Sequence, residues 1–206
     1  DPNLLVKTVE KLKCTLWYSV PSLLIYLITA RALEKDNFKS IKRFAFAGEG
    51  FPKPKLKELY DLYNKRSTLF NCYGPTETTC LCSSYIIEKK DFKNMEVLAP
   101  LGFMAYNFRY VIAPLDSENK NYGELYLIGP SVGLGYYNDS EKTNASFIQN
   151  PFNSKFNEIA YKSGDIVEKD DKGWLHFRGR VDNQIKHMGY RIELEEIEAA
   201  LNTIFP

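Results

Sequence analysis

Between Leu4 and Asn71 the spacing of apolar residues switches repeatedly between helical and extended periods, and this alternation constrains the fold more than any other feature of the chain. Leu4 to Leu12 repeats apolar residues at helical spacing, and Thr15 to Tyr18 reads as a strand. Pro21 then opens a helix through about Ala32, with proline in its favoured first turn. Lys42 to Ala47 reads as a buried strand, Pro54 to Lys65 as a helix, and Thr68 to Asn71 as the next strand. Strands alternating with helices predict a largely parallel sheet covered on both faces.

After Thr79 the character changes. Leu81 to Glu88, Arg109 to Ala113 and Gly123 to Ile128 read as short strands separated by turns rich in Pro, Asn and Gly, which predicts a small β-rich subdomain or distorted barrel. A hairpin follows, Ile166 to Glu168 against Trp174 to Arg178, with Asp171-Lys172-Gly173 as its turn. Arg180 to Gln184 then links to Ile185 to Met188, and Glu193 to Leu201 is helical in pattern. The expected fold class is therefore α/β: a mostly parallel sheet with flanking helices over residues 1–100 and a β-rich subdomain over 101–180, with the linker Arg180 to Gln184 as the domain boundary.

Composition narrows the function classes. A net charge of +1 supplies no long-range field for nucleic acid or a membrane surface, so neither is expected as a partner. Apolar content of 44% with 14% aromatic is ample for a packed core. Leu16 to Ile28 is shorter than the roughly eighteen apolar residues that span a bilayer and is broken by Pro21. No secretory signal is visible at Asp1. Cys14, Cys72, Cys80 and Cys82 have no metal-like pairing with His176 and His187, so free thiols in a reducing, cytoplasmic setting are expected.

The densest chemistry lies in Phe70-Asn-Cys-Tyr-Gly-Pro-Thr-Glu-Thr-Thr79. Gly74 opens backbone conformations closed to other residues, and Pro75 fixes φ without offering a donor, so the apolar approach from Ser67 to Phe70 should end in a sharp turn. Thr76, Glu77, Thr78 and Thr79 then offer hydroxyls for phosphate oxygens and one carboxylate suited to magnesium, an ion that usually takes one or two carboxylates plus substrate phosphates. The same residues also fit an ordinary Gly-Pro turn followed by a capped helix.

Two further stretches accompany this loop: Gly123-Glu-Leu-Tyr-Leu-Ile-Gly-Pro-Ser-Val-Gly-Leu-Gly-Tyr136, and Tyr161-Lys-Ser-Gly-Asp165 followed by Gly179-Arg-Val-Asp-Asn-Gln-Ile-Lys-His-Met-Gly-Tyr-Arg-Ile-Glu-Leu-Glu-Glu-Ile-Glu198. In that order they closely resemble the core motifs of the adenylate-forming enzymes, over nearly the whole chain from about Leu16. That family joins a carboxylic acid to ATP as an acyl adenylate, then passes the acyl group to a thiol. Nothing in Asp1 to Gly48 resembles the family's glycine-rich phosphate loop, and the segment with its catalytic lysine is expected beyond the Gly-Tyr-Arg-Ile-Glu stretch. The resemblance thus implies an internal fragment of a longer enzyme, inactive by itself: the latter part of a large domain over residues 1–180, then over 181–206 a hinge and the start of a small α+β domain.

Residue roles follow from the resemblance position by position. Thr76 matches the threonine that meets the nucleotide phosphates and Glu77 the glutamate that holds Mg2+ by placing the metal, not by moving a proton. Asp165 matches the aspartate that accepts both ribose hydroxyls, Arg180 the arginine that reaches the ribose, and Tyr73 the aromatic that stacks on adenine. Gly48, Glu49 and Gly50 match the turn whose backbone lines the other adenine face, with Asn71 and Phe177 counted among the nucleotide-binding residues. Asp182 matches the hinge about which the small domain rotates between adenylation and thiol transfer, and Gly189 the glycine that admits a pantetheine arm. Without the motifs, the readings favoured are Tyr73 and Phe177 as core aromatics, Asp165 and Asp182 as turn acids, and Arg180 as a surface charge.

By position, the acyl pocket should include Tyr18, Ala45, Ala47, Cys72 and Cys80, whose strands and loops point at one end of the sheet. Ala45 and Ala47 leave room, while Cys72 crowds one side. Three departures stand out: Ser163 for the usual threonine, Leu134 for a common arginine, and His187-Met188 in the loop expected to line the thiol tunnel. The wording of the motifs looks most like the amino-acid-activating branch, of the D-alanine–carrier protein ligase and nonribosomal peptide synthetase type. The partners implied are a small amino acid, ATP and an acyl carrier protein, with phosphopantetheine or CoA as acceptor. The rivals are an acyl-CoA ligase for a fatty or aryl acid and a non-catalytic module that binds nucleotide or carrier.

Overall fold

Each helix in the first part of the chain starts where a side chain or a proline deals with the unpaired backbone donors of a helix terminus. The computed structural model describes residues 1–192 together with Leu194, Ile197, Ala200 and Leu201. Helix α1 (Pro2–Lys11) opens on Asp1, whose carboxylate accepts from the N–H groups of Asn3 (2.8 Å) and Leu4 (3.3 Å). Strand β1 (Leu16–Ser19) follows, and helix α2 (Pro21–Thr29) opens on its proline. It stops short of the expected Ala32 because the chain turns away through Arg31, at φ +53°. Strand β2 (Arg43–Phe46), helix α3 (Lys53–Tyr63) and strand β3 (Thr68–Tyr73) complete the alternation.

The chain forms two compact units. The first combines Asp1–Cys72, Tyr85–Ala99 and Lys186–Ile192; the second holds Tyr73–Ser84 and Pro100–Ile185 with the described residues beyond Ile192. In the first, β1, β2 and β3 are parallel, with Trp17, Phe44 and Leu69 side by side and Tyr18, Ala45 and Phe70 in the next row. Because side chains alternate along a strand, these rows lie on opposite faces. Trp17, Phe44, Phe46 and Leu69 are buried, and Phe44 stacks on Tyr63 with ring centroids 5.0 Å apart. The other face is exposed along Leu16, Tyr18 and Thr68, so the expected cover on both faces is found on one.

The first unit also contains a small hairpin, β11 (Ile185–His187) against β12 (Tyr190–Ile192), of which Ile185 is counted with the second unit. Its two-residue turn, Met188 at φ +52° and Gly189 at φ +83°, has the positive φ pair that a type I′ turn requires. Turn geometry by itself thus accounts for glycine at position 189. Of the helix expected over Glu193 to Leu201, Leu194, Ile197, Ala200 and Leu201 are helical; Glu193, Glu195, Glu196, Glu198 and Ala199 lie outside the described residues.

In the second unit, the start of β4 (Ser83–Ile86) pairs antiparallel with β5 (Phe103–Met104). A separate antiparallel sheet runs in the order β10 (Leu175–Arg180), β9 (Ile159–Lys169), β7 (Tyr122–Ile128), β6 (Arg109–Pro114), with β8 (Phe147–Gln149) also against β9. Leu125, Leu127, Val167 and Leu175 are its fully buried centre, packed with Tyr73, Phe147 and Tyr161. Helix α4 (Ser140–Ser146) escaped sequence reading because it carries no apolar stripe; its start is set by Asp139, which accepts from Lys142 N–H at 2.9 Å. Among the described residues no helix is long and apolar enough to cross a membrane.

The aromatic stack predicts where the first unit is most fragile. Replacing Phe44 with alanine should cost about 3–5 kcal/mol, because it opens a cavity against Tyr63 and Phe38 that rigid neighbours cannot refill. Urea titration would read this as a lower midpoint at unchanged slope.

Candidate functional site

The second unit builds its polar centre from an interruption in its own sheet. Glu124 pairs with Ile166 and Tyr126 with Lys162, so Leu125 alone faces Ser163, Gly164 and Asp165. The extra residues bulge out of the ladder, with Gly164 at φ +72°. Side chains satisfy the backbone that the bulge leaves unpaired. Ser163 Oγ donates to the Leu125 carbonyl (2.6 Å) and accepts from Asp165 N–H (3.1 Å), while Glu124 accepts from Gly164 N–H (3.1 Å). The hydroxyl that Ser163 shares with threonine is the part this turn uses. The carboxylate it presents, Asp165, is 2% exposed.

A second bulge aims the partner. Phe177 pairs with Val167 and Gly179 with Ile166, so Arg178 is skipped and Arg180 falls opposite Asp165. Without that slip, period-2 alternation would turn Arg180 to the other face. Arg180 Nη1 donates to Asp165 Oδ1 at 2.6 Å, and its Nε and Nη2 fork onto the two oxygens of Asp182, each at 2.6 Å. Burial opposes the charge on Arg180, but Asp182 and Asp165 outweigh it and hold the guanidinium's pKa above its ordinary value.

Tyr73 completes the cluster, its hydroxyl donating to Asp165 Oδ2 at 2.6 Å. The ring belongs to the apolar core and is 8% exposed. Burial first, and the Asp165 charge second, push its phenol well up. Beside it Cys82, fully buried, has its thiol pushed up to about 12 by burial. Phe177 packs partly buried against the same core.

Glu77 sits apart from this cluster in a 3-10 turn, Thr76–Thr78. It is 9% exposed; Tyr136 donates its hydroxyl to Glu77 Oε1 (2.7 Å), and Gly133 N–H donates to the Glu77 carbonyl (2.8 Å). Thr76 and Cys80 are exposed, and Thr79 and Cys80 both take positive φ, at +60° and +79°. The segment after Pro75 is thus a single 3-10 turn followed by two left-handed residues, not the capped helix of the alternative reading. Among the described residues no group of three or more His, Cys, Asp or Glu side chains could hold a metal.

In the first unit, Tyr18 and Ala45 are register neighbours, Tyr18 is 51% exposed, and Ala47 and Cys72 are buried. Asn71 is buried on β3, its amide 3.5 Å from the Ala99 carbonyl. Gly48 takes φ +92° in the turn through Glu49 and Gly50. The structure therefore gathers Tyr73, Asp165, Arg180 and Asp182 into one hydrogen-bonded chain. Sequence reasoning missed the supports, Glu124, Tyr136 and both bulges; the glycines at 164 and 179 were the available signal. A cavity of about 550 Å³, lined by Ile128, Val132, Phe147 and Glu158 among others, contains none of the predicted site residues.

A strand-to-turn loop with one buried acid, together with an aspartate and arginine braced on a curled antiparallel sheet, defines a protein of the adenylation-domain class. The family model described as AMP-binding enzyme matches residues 1–137, and the chain belongs to that family. It is 33% identical over 203 residues to the D-alanine–D-alanyl carrier protein ligase of Lacticaseibacillus casei (strain BL23), covering 97% of this chain and 39% of that protein. It is 32% identical over 206 residues to the L-proline–[L-prolyl-carrier protein] ligase of Streptomyces coelicolor, covering 97% and 36%. Among solved structures, PA1221, an NRPS protein containing adenylation and PCP domains, superposes with a TM-score of 0.84 at 26% identity, covering 98% of this chain and 40% of that one. The chain thus spans about two fifths of the length of the relatives it matches.

Two outcomes test the polar centre. Ser163→Ala should destabilise by about 1–3 kcal/mol, because it strands the Asp165 N–H and the Leu125 carbonyl in a buried bulge, whereas Ser163→Thr keeps the hydroxyl and should be close to neutral in urea titration. Cys82 ties stability to alkali. Its thiol rises from the ordinary 9.0 to about 12, so the folded state holds the proton longer than the unfolded state. Its contribution is whole below pH 9 and shrinks above it by about 1.4 kcal/mol per pH unit until about pH 12. Urea midpoints should fall from about pH 9 upward and more steeply above about pH 10, where the raised phenols of Tyr73 and Tyr63 add to the loss, and Cys82→Ala should remove the part of the fall that lies between about pH 9 and 10.

Proposed function

We propose that the protein is an AMP-forming ligase that activates a small amino acid, D-alanine first among them, and passes it to the phosphopantetheine thiol of a carrier protein. The observation that carries this reading is Asp165: a buried carboxylate presented on a bulge and braced by Arg180 and Tyr73. A scaffold gains nothing from burying such a group, whereas a site that must hold hydroxyls does. The names of relatives that act on D-alanine and on L-proline support an amino acid as substrate.

In this reading Asp165 accepts the ribose hydroxyls, since Arg180 and Tyr73 each occupy one oxygen and a carboxylate has about four lone-pair sites. Arg180 neutralises it and faces the same sugar. Tyr73 stacks on adenine with its ring, and its hydroxyl, donating to Asp165, orients that carboxylate. The turn Gly48, Glu49, Gly50 lines the base with its backbone, and Asn71 and Phe177 lie with the nucleotide-binding residues. Thr76 meets the phosphates.

The buried carboxylate of Glu77, one oxygen of which accepts from Tyr136, fits Mg2+, an ion that takes one or two protein carboxylates and its other ligands from phosphate oxygens and water. Bound there, the ion would neutralise charge on the phosphates. Tyr136 holds Glu77 in place for it. Ala45 and Ala47, with Tyr18, Cys72 and Cys80, form the side of the pocket that selects a small side chain. Asp182 is the hinge, Gly189 admits the pantetheine arm, residues 181–206 open a small domain, and the protein works in the cytoplasm.

The test is acid-dependent exchange between ATP and pyrophosphate on the full-length protein, with D-alanine, other small amino acids of both hands, and fatty and aryl acids. D-alanine or another small amino acid should drive exchange, and Asp165→Asn should lower kcat/KM for ATP by about ten- to a hundredfold through loss of an acceptor and of the pairing with Arg180. Exchange with only a fatty or aryl acid would move the protein to the acyl-CoA ligases. No exchange with ATP still bound would leave a binding module.

A further inference from the structure

Glu49 bonds to a group 140 positions away in the sequence, and it does so within the first unit. One carboxylate oxygen accepts from Ser22 N–H at 3.1 Å, in the first turn of α2; the other accepts from Gly189 N–H, in the turn of the β11–β12 hairpin. Both bonds are charge-assisted and go to backbone donors. Among the described residues Glu49 forms no ion pair with a basic side chain. The seat is also steric. A methyl group at Gly189 would lie 3.5 and 3.6 Å from the two Val20 methyls, and Val20 is the residue that precedes α2. The hairpin turn therefore rests on the start of α2, with Glu49 holding the two together.

The Ser22 arm lies wholly inside residues 1–72 and is kept whatever the hairpin does. The Gly189 arm exists only when the hairpin is seated. A contact made in one pose and absent from another shifts the balance between them by its own free energy. The α2 arm holds Glu49 ready, so little side-chain entropy is spent when the hairpin arrives.

We propose that Glu49 is a positioning residue for thiol transfer: it latches the Ile185–Ile192 hairpin beside the Gly48–Gly50 turn and so favours the pose in which Gly189 admits the thiol. This rests on the adenylation reading above. It adds a role for the Glu49 side chain, where that reading uses only its backbone. Adenylation does not need the Gly189 bond; acyl transfer does.

Two half-reactions are compared on the full-length protein: amino-acid-dependent pyrophosphate exchange, and thioester formation with pantetheine as the acceptor. Glu49→Ala removes both acceptors, and Glu49→Gln keeps one of the two. The ratio of thioester formation to exchange should fall about tenfold in Glu49→Ala, the scale of one charge-assisted hydrogen bond, and by an intermediate amount in Glu49→Gln. Amide hydrogen exchange of the peptide covering residues 185–192 should accelerate in the same order. Equal losses in both half-reactions, or unchanged amide exchange in both variants, would overturn the latch. If the wild-type protein exchanges pyrophosphate with no acid, the adenylation reading fails instead, and the amide exchange still reports whether Glu49 holds the hairpin.

Discussion

A buried negative charge organises the second unit. Asp165 is nearly sealed from solvent, and a carboxylate in that position is strongly unfavourable unless it is paired and hydrogen-bonded. Arg180 supplies the charge and Tyr73 a hydroxyl, and each depends on a backbone irregularity or a strand end to arrive there. The sheet gives up regular pairing at Ser163–Asp165 and again at Arg178 so that these groups meet. Ser163, Glu124 and the Leu125 carbonyl commit their hydrogen bonds to the bulge, and the bulge presents one carboxylate.

The glutamate loop follows the same logic with weaker means. Glu77 is held on a turn too short to be a helix, and what fixes it comes from residues 131–136: a tyrosine hydroxyl, a glycine N–H, and the Ser131 carbonyl that accepts from Thr79. Gly133 and Gly135, which read in sequence only as part of a motif, find a physical reason here. The chain must pass close to the Glu77 backbone, and Gly135 takes φ +136°, a conformation that a side chain would strain.

How legible all this was depended on what each element is made of. The parallel strands and their helices could be read because Trp17, Phe44, Phe46 and Leu69 impose a period that only one face of a sheet satisfies. Helix α4 could not, since Ser-Glu-Lys-Thr-Asn-Ala-Ser has no apolar face and owes its start to a cap. In the polar centre, Asp165 and Arg180 were visible as motif residues, but the bulges that make them neighbours are properties of strand register, which one strand's sequence does not carry. Tyr73 shows the limit from the other side: its identity was legible as an aromatic beside the site, while the direction of its hydroxyl was decided by packing against Leu125 and Val167.

Arg180 links the fixed part of the molecule to the part that the hinge reading sets in motion. Three of its nitrogens are committed, one to Asp165 on a buried bulge and two to Asp182, whose side chain is 42% exposed. The buried bond is costly to break, because it would leave Asp165 uncompensated; the outer fork faces solvent, where an ion pair is worth roughly 0–1 kcal/mol. Under the hinge proposal the chain is held by a buried pair just before Asp182 and by a solvent-facing fork at Asp182 itself. Val181 N–H donates to the Gly164 carbonyl between the two, which extends the firm segment as far as Val181. Rotation about Asp182 would cost the exposed fork and spare the buried pair, so the polar centre could stay assembled while the segment beyond it changes place.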